Sequence, residues 1–439
     1  MRGGWRWAVV VGMAVLLGAC GESSDTDDAD APSGPGPWPT DAVKDYTAAF
    51  GLGSGVRSVG VDEGHNLWLL RGAEIGVLRP GDTKPTWTRG VGQAADGFGR
   101  DKKALGSTVI CGGEAGRAYV GYHTYELQPE IPDKPHAYIP APGEPHYTAE
   151  RFAEYQKGDL DAVRVESDGT VVLEEHLWRS AGVSGGSRQL GPRNTNDFHY
   201  DEDRSVLTCQ RVMRGRDRGD VYLGTNHGVS LVRGLTYNSH RHAAWYRETQ
   251  RQDGSVDQSL QAGFNWGLGI GPDGEVLVAN DWLVGILEPN GVLEDFDKER
   301  TWEGPVPWRY KGHNAQLNSL EAFDHWRAVA RTKRGVTWVG SRDFGLWRMD
   351  VKDRSSATYS RVNALPSDNV SAMAATDGGI VYVGTDGEGL WRVEEDGETL
   401  TRVDAVKGAK VLQLVYDPTV APAMLYVLTD SGLTVLRED

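Results

Sequence analysis

A repeated unit of short strands constrains the fold of this chain more than any other feature of its sequence. Residues 336–349 read VTWVGSRDFGLWRM, and residues 380–393 read IVYVGTDGEGLWRV. In both copies an apolar stretch ends in glycine and a small residue, a turn rich in Asp and Gly follows, and a second apolar stretch completes the unit. Apolar and β-branched residues between such turns are typical of antiparallel strands.

The four-residue stretch of the WVGS type recurs and predicts a ring of blades. The last three copies begin 44 residues apart, from 338 to 382 and from 382 to 426, which is the length of a four-stranded propeller blade. We predict an all-β fold over residues 41–439, a seven-bladed β-propeller of four-stranded antiparallel blades. The seven copies begin at Trp68, Tyr119, Tyr222, Leu277, Trp338, Tyr382 and Tyr426.

Two segments bear on the number and closure of the blades. Residues 162–174 form a predicted hairpin with an Asp-Gly turn, which supplies either the outer strands of blade two or an eighth blade; seven blades is the preferred interpretation and eight the alternative. The final unit, at 433–439, has no room for a fourth strand. Because a propeller avoids unpaired edges, we expect residues 45–50 to be the outer strand of the last blade.

The unit at residues 363–393 resembles the repeat of the two-component regulator propeller family. A Leu-Pro turn at Leu365 leads into a Tyr-Val-Gly-Thr strand at Tyr382, as in that family. The match is close here and at 328–349, and partial at 205–232. The resemblance implies a propeller and, as one alternative for function, a sensor that acts through a separate signalling partner.

The amino terminus has the pattern of a bacterial lipoprotein. Basic residues precede an apolar run at 8–17 that is too short to span a bilayer. The run ends in Leu17-Gly-Ala-Cys20, which resembles a lipobox. We predict a signal peptide at 1–19 and a diacylglyceryl group on the Cys20 thiol.

Residues 20–40 are rich in Asp, Pro, Gly and Ser, which predicts a tether that buries no core. Gly21 stands where an Asp would favour inner-membrane retention. We therefore expect a lipid-anchored protein of the cell envelope, at the outer membrane and facing the periplasm or the surface.

The net charge limits the class of partner, and the cysteines raise the question of a disulfide. The net charge of −16, without a basic cluster, argues against nucleic acid, and we expect a monomer that binds an envelope protein, a peptide or a glycan. Cys111 and Cys209 either form a disulfide or are two buried thiols. The thiols are favoured, because the repeat alignment places the two residues at different depths of neighbouring inner strands.

Polar residues predict a ligand site at one mouth of the central channel. In a propeller, the residues that lead into each inner strand and the turns between second and third strands meet on one face. Asp and Asn are also common turn residues, whereas histidine is not. The candidates are His123, Asn226, His227, Asn265, Asp281, Trp282, His325, Arg342, Asp343 and Asp386.

Aromatic residues in two long insertions predict a surface for a partner. Insertions on a rigid scaffold commonly carry binding residues, and Trp and Tyr are frequent anchors. The alternative is that these rings cover their own blades. The candidates are Trp245, Tyr246, Trp302, Trp308 and Tyr310.

No catalytic motif appears in the sequence, so no catalytic residue is assigned and no cofactor is expected. The leading hypothesis is a scaffold or recognition module. The alternative is a metal-dependent lyase or hydrolase resembling the streptogramin lyases. In that case His227 or His325 is the general base, and Asn265, Asp343 or Asp386 hold a divalent cation.

Replacement of Cys20 by Ala tests the predicted anchor. We expect the wild-type protein to partition into the detergent phase of cell extracts and to incorporate labelled fatty acid, because a diacylglyceryl thioether needs the thiol. The C20A variant should do neither. A C20A protein that stays in the detergent phase would contradict the prediction.

Overall fold

Antiparallel sheets stand in a ring around a central channel in the computed structural model of the chain. The structure describes residues 43–46, 55–94, 104–124, 143, 145, 147–150, 158–177, 205–215, 217–225, 229–240, 245–250, 256–261, 265–272, 274–280, 284–287, 326–353 and 356–438.

The first three blades follow one another along the chain, each running from the inner to the outer strand. Blade one consists of β2 (Ser58–Val61), β3 (Leu67–Arg71), β4 (Glu74–Leu78) and β5 (Thr86–Arg89), followed by a 3-10 turn at Gly92–Ala94. Blade two consists of β6 (Ala104–Gly112), β7 (Arg117–Thr124), β8 (Leu160–Val165) and β9 (Val171–Leu177). Blade three consists of β10 (Val206–Arg211), β11 (Val221–Thr225), β12 (Val229–Arg233) and β13 (Thr236–His240).

The remaining sheets complete the ring. A separate hairpin of β14 (Trp245–Gln250) and β15 (Val256–Gln261) precedes a three-stranded sheet of β16 (Asn265–Ile270), β17 (Val276–Asn280) and β18 (Val284–Leu287). The next blade consists of β19 (Trp326–Arg331), β20 (Thr337–Ser341), β21 (Leu346–Asp353) and β22 (Ser356–Arg361). It is followed by β23 (Val370–Ala375), β24 (Val381–Thr385), β25 (Leu390–Val393) and β26 (Leu400–Arg402). The last blade consists of β27 (Val411–Asp417), β28 (Ala423–Thr429), β29 (Gly432–Glu438) and β1 (Val43–Asp45).

The all-β propeller is confirmed, but the predicted number of four-stranded blades is wrong. The described residues form six four-stranded blades rather than seven. The three-stranded sheet β16–β18 takes the fourth place in the ring, since β16 contacts β10 on one side and β19 on the other. The hairpin at 162–174 lies in blade two as β8 and β9, and no further four-stranded sheet occurs in the described part to support eight blades.

The amino-terminal segment closes the ring as expected. β1 pairs antiparallel with β29, with Val43 opposite Leu436 and Asp45 opposite Thr434. The amide of Tyr46 extends the pairing to the carbonyl of Leu433 at 2.9 Å. The strand begins two residues before the predicted start, and residues 47–50 lie outside the described part.

The repeated four-residue stretch marks the second strand of each blade, and its glycine has a packing role. A Cβ on Gly384 in β24 would lie 2.5 Å from Cγ1 of Val411, the first residue of the next inner strand. A Cβ on Gly340 in β20 would lie 2.3 Å from Cγ1 of Val370, which has the same place one blade earlier. Glycine therefore recurs here because the first side chain of the following blade occupies the space.

Apolar side chains pack between neighbouring blades and form the core in sections. The last two blades meet around Tyr382, Val411 and Leu425, and blades one and two meet around Trp68 and Ile110. Burial of such side chains is worth roughly 1.5–3 kcal/mol each. Each sheet is therefore stabilised chiefly by the two sheets beside it.

Cys111 and Cys209 form a disulfide that joins blade two to blade three, so the preference for two thiols was wrong. Their Cα atoms are 6.2 Å apart. Cys111 is one register position further along its inner strand than Cys209. This difference of one position still leaves the two Cα atoms within the range of a disulfide.

Replacement of Gly384 by Ala tests the packing of the second strands. We expect the free energy of unfolding to fall by about 1–3 kcal/mol, because the added methyl group overpacks against Val411. Urea unfolding followed by Trp fluorescence measures the change. Val411→Ala should recover part of the loss in the double variant. Gly378→Ala is the control, since its Cβ would have its nearest neighbour at 3.8 Å; equal losses at both glycines would contradict the explanation.

Removal of the disulfide should lower stability by about 2–5 kcal/mol, because the bond closes a loop with a sequence separation of 98. The measurement is the melting temperature of a C20A protein with and without reductant, beside the same protein carrying C111S and C209S. Reductant should lower the first melting temperature and leave the second unchanged. Two titratable thiols in the unreduced, denatured C20A protein would contradict the assignment.

Candidate functional site

Six of the seven inner strands have a register irregularity, and the extra residue that it introduces lines the channel. The register shifts between Val206 and Thr208, and the same shift occurs at the start of the other inner strands from β16 to β27. In β6 it lies between Ser107 and Val109. In a regular strand, side chains alternate between the two faces of the sheet. A bulge of this kind re-aims the side chain of its extra residue out of this alternation. The extra residues, with Arg57 in the equivalent place before β2, are Arg57, Thr108, Leu207, Trp266, Arg327, Ser371 and Leu412.

These seven residues line the narrower end of the channel, which we call the narrow mouth. Its volume is about 170 Å³. The guanidinium of Arg327 lies over the ring of Trp266, with 4.1 Å from Cζ to the ring centroid, a cation–π contact. Arg57 adds a second cation, and the described lining includes no carboxylate. The narrow mouth is therefore basic although the protein is acidic overall.

A larger cavity opens at the other end of the channel. This wide cavity has a volume of about 860 Å³ and is lined by the ends of β10, β16, β19, β23 and β27 with the turns that follow them. Blades one and two do not line it in the described structure. Their inner strands lie close together, and a Cβ on Gly112 would lie 2.1 Å from the carbonyl oxygen of Val61. The free volume lies beside blade three, the three-stranded sheet and the three blades that follow it.

A long turn of blade three bounds the wide cavity. It joins β10 to β11 through residues 212–220, of which 216 lies outside the described part, and we call it the strap. Arg214 forms an ion pair with Asp377 and donates to the carbonyl of Pro418, both in turns on the far side of the ring. Met213 is buried in the core of the first and last blades. The strap therefore ties blade three to the opposite side of the ring.

Arg211 is a buried cation in the wall of the wide cavity. Its side chain is 4% exposed. Nε donates to the carbonyl of Val61 at 3.0 Å, and Nη2 to that of Asp62 at 3.4 Å. Burial lowers the pKa of the guanidinium, while the charges of Asp417, Glu63 and Asp62 oppose the shift. Within the described structure no carboxylate forms an ion pair with Arg211.

The acidic side chains of the cavity all have basic partners. Glu275 pairs with Arg331 at 3.0 Å, Asp377 with Arg214, and Asp217 with an arginine outside the lining at 3.9 Å. Lys333 is exposed at the rim. The described lining therefore has four basic residues, Arg211, Arg214, Arg331 and Lys333, and three acidic ones.

The predicted channel-mouth residues that the structure describes lie at the narrow-mouth end. Asn265 begins β16, is buried, and donates from Nδ2 to the carbonyl of Thr225 at 3.2 Å. Asp386 is exposed and accepts from Nζ of Lys410 at 2.9 Å. Arg342 and Asp343 are exposed in the turn after β20. His123 lies in β7 opposite Gly106.

Other predicted residues fall partly outside the described part. Trp245 and Tyr246 are in β14, where they pair with Gln261 and Leu260 of β15. The remaining predictions lie outside the described residues: Cys20, Asn226, His227, Asp281, Trp282, Trp302, Trp308, Tyr310 and His325.

Sequence reasoning missed the wide cavity and its buried arginine. The signal was present, since Arg211 ends an inner strand that is otherwise uncharged. It also missed Trp266 and Arg327, because a bulge is not visible in a pattern of alternation. Among the described residues, no three side chains are placed to hold a metal ion. No helix in this part of the chain has the length and apolar character needed to cross a bilayer.

The sequence matches no protein-family model and no curated protein. Among solved structures, the chain is similar to the extracellular domain assigned to a hybrid two-component system of B. thetaiotaomicron, with 13% identity and a TM-score of 0.48. The match covers 88% of this chain and 39% of that one, so this chain spans about two fifths of its length.

Two other similar structures match over nearly their whole length. Virginiamycin B lyase from Staphylococcus aureus is 9% identical, with 88% of this chain and 96% of that chain covered and a TM-score of 0.44. YCF48 from Cyanidioschyzon merolae is 12% identical, with 90% and 99% covered and a TM-score of 0.47.

Proposed function

We propose that the protein is an exported, lipid-anchored recognition module whose propeller binds an envelope protein, a peptide or a glycan. The observation that carries this proposal is the wide cavity. It is a preformed concave site of about 860 Å³, within the range of ligand pockets. Its wall comes from five inner strands, so the ring holds it open without a ligand.

The disulfide supports the export part of the proposal. Cys111–Cys209 is the kind of bond that persists in an oxidising compartment and is rare in the cytosol. It agrees with the predicted signal peptide at 1–19 and the lipidated Cys20. The tether at 20–40 leads into β1, the outermost strand of the last blade. Anchoring through that strand leaves both channel mouths free for a partner.

The insertions give the proposal a second surface. The aromatic residues predicted to bind a partner, Trp245, Tyr246, Trp302, Trp308 and Tyr310, belong to segments next to blade four. A partner that contacts both these residues and the wide cavity would have two points of attachment. The regulator-propeller resemblance leaves a sensor that acts through a separate signalling partner as an alternative function.

Crosslinking in intact cells tests the proposal. We expect a tagged, lipidated protein to be recovered with the same envelope partner in repeated experiments, identified by mass spectrometry. Two variants separate the surfaces, one with Met373→Trp to fill the wide cavity and one with alanine at Trp302, Trp308 and Tyr310. Arg402→Ala, on the exposed outer strand β26, is the control.

Loss of the partner in either variant, with recovery in the control, supports the proposal and identifies the surface. The same background proteins recovered with all four forms would overturn it. In that case the metal-dependent lyase is the next hypothesis, and its test is a fall in melting temperature on chelation.

A further inference from the structure

We propose that the wide cavity binds a carboxylate group attached to an apolar body, with Arg211 as the residue that holds the carboxylate. This inference rests on the proposed function, because it names the chemistry that the same cavity recognises. Three features carry it: a buried guanidinium without an ion-pair partner in the described structure, a mainly apolar floor, and a surplus of basic side chains in the wall.

Arg211 forms no ion pair within the described structure, although three carboxylates act on it from a distance. A guanidinium has five N–H donors, and only two are used, for the carbonyls of Val61 and Asp62. These carboxylates bond to other groups: Asp417 to His65 at 3.1 Å, Glu63 to Arg218 at 3.2 Å, and Asp62 to the indole nitrogen of Trp68 at 3.0 Å. A buried ion without a directly paired counter-charge is costly. A ligand carboxylate would form that ion pair and accept two parallel N–H bonds.

The floor of the cavity is mainly apolar. Five residues line both cavities and separate the wide cavity from the narrow mouth: Gln210 and the fourth residues of four inner strands, Leu268, Val329, Met373 and Leu414. Phosphate or another inorganic anion would leave this floor uncovered. An organic acid would cover the floor with its body while its carboxylate reaches the wall.

The register of the strands guides the choice of a probe. Arg211 is the sixth residue of its inner strand, counted from Val206, so its backbone lies two residues beyond the level of the floor. Two residues of strand correspond to about 7 Å. An acid with a body of four to six carbons has about this length and is the probe that we choose. Such a group is found in free short-chain acids and at the carboxyl terminus of a peptide that ends in Leu.

The experiment measures melting temperature and calorimetric binding of the full lipidated chain in detergent. The probes are hexanoate, hexanamide, inorganic phosphate, and Ala-Ala-Ala-Leu with a free or an amidated carboxyl terminus. We expect saturable binding of hexanoate and of the free peptide, and none of hexanamide, phosphate or the amidated peptide. Tighter binding of the peptide would identify a peptide terminus as the source, and tighter binding of hexanoate a free acid.

Variants distinguish a binding role of Arg211 from a structural one. Arg211→Met should weaken hexanoate binding by about tenfold or more, the effect of losing a charge-assisted hydrogen bond. Arg211→Lys should weaken hexanoate binding less, because lysine keeps the positive charge but lacks the planar guanidinium that can donate two parallel hydrogen bonds. Arg57→Met makes the same change at the narrow mouth and should leave binding unchanged. Met373→Trp keeps Arg211 but fills the floor, so it should abolish binding even if Arg211→Met fails to fold.

Hexanoate binding of equal strength in the wild type, Arg211→Met and Met373→Trp would overturn the inference, as would equal binding of hexanamide or no binding of either acid. Its failure is distinct from failure of the proposed function. A crosslinked partner without an Arg211-dependent hexanoate response overturns the carboxylate site alone. A response without any partner supports the site and contradicts recognition of an envelope partner.

Discussion

One close contact recurs between neighbouring blades at four of the second strands, at Gly121, Gly224, Gly340 and Gly384. The first side chain of an inner strand packs against the glycine of the preceding second strand, as Val411 does against Gly384. A contact between a side chain and bare backbone leaves little freedom for the distance between two blades. The outer strands and the turns are not bound by it, which explains why the repeats differ so much in length while their inner strands remain in register.

Residues of blade three confine the cavity to one side of the channel. Gly60 and Gly112 let β2 and β6 approach until a Cβ on Gly60 would lie 2.6 Å from the Gly112 amide nitrogen. Arg211 and Met213 fill the space next to this pair. The wide cavity therefore lies to one side of the channel axis, and basic side chains stand in one of its walls.

The sequence was sufficient for the parts of the fold that repeat. The four-residue stretches that begin at Trp338 and Tyr382 mark second strands. Their alternation of side chains and their glycine are visible within a single repeat unit. The relation between units is not local. The disulfide that joins Cys111 to Cys209 and the bulge that exposes Trp266 depend on how one strand meets the next. For the same reason the predictions favoured polar turns and overlooked the buried end of β10.

The pairing of β1 with β29 has a mechanical consequence. The chain enters the propeller through a three-residue strand, whose backbone bonds to the last strand also close the ring. In the lipid-anchored protein that we propose, a pull between the membrane and a bound partner would act first on the pairs from Val43 to Asp45. The strand that completes the fold would then also bear the load, and its shortness would set the force at which the ring begins to open.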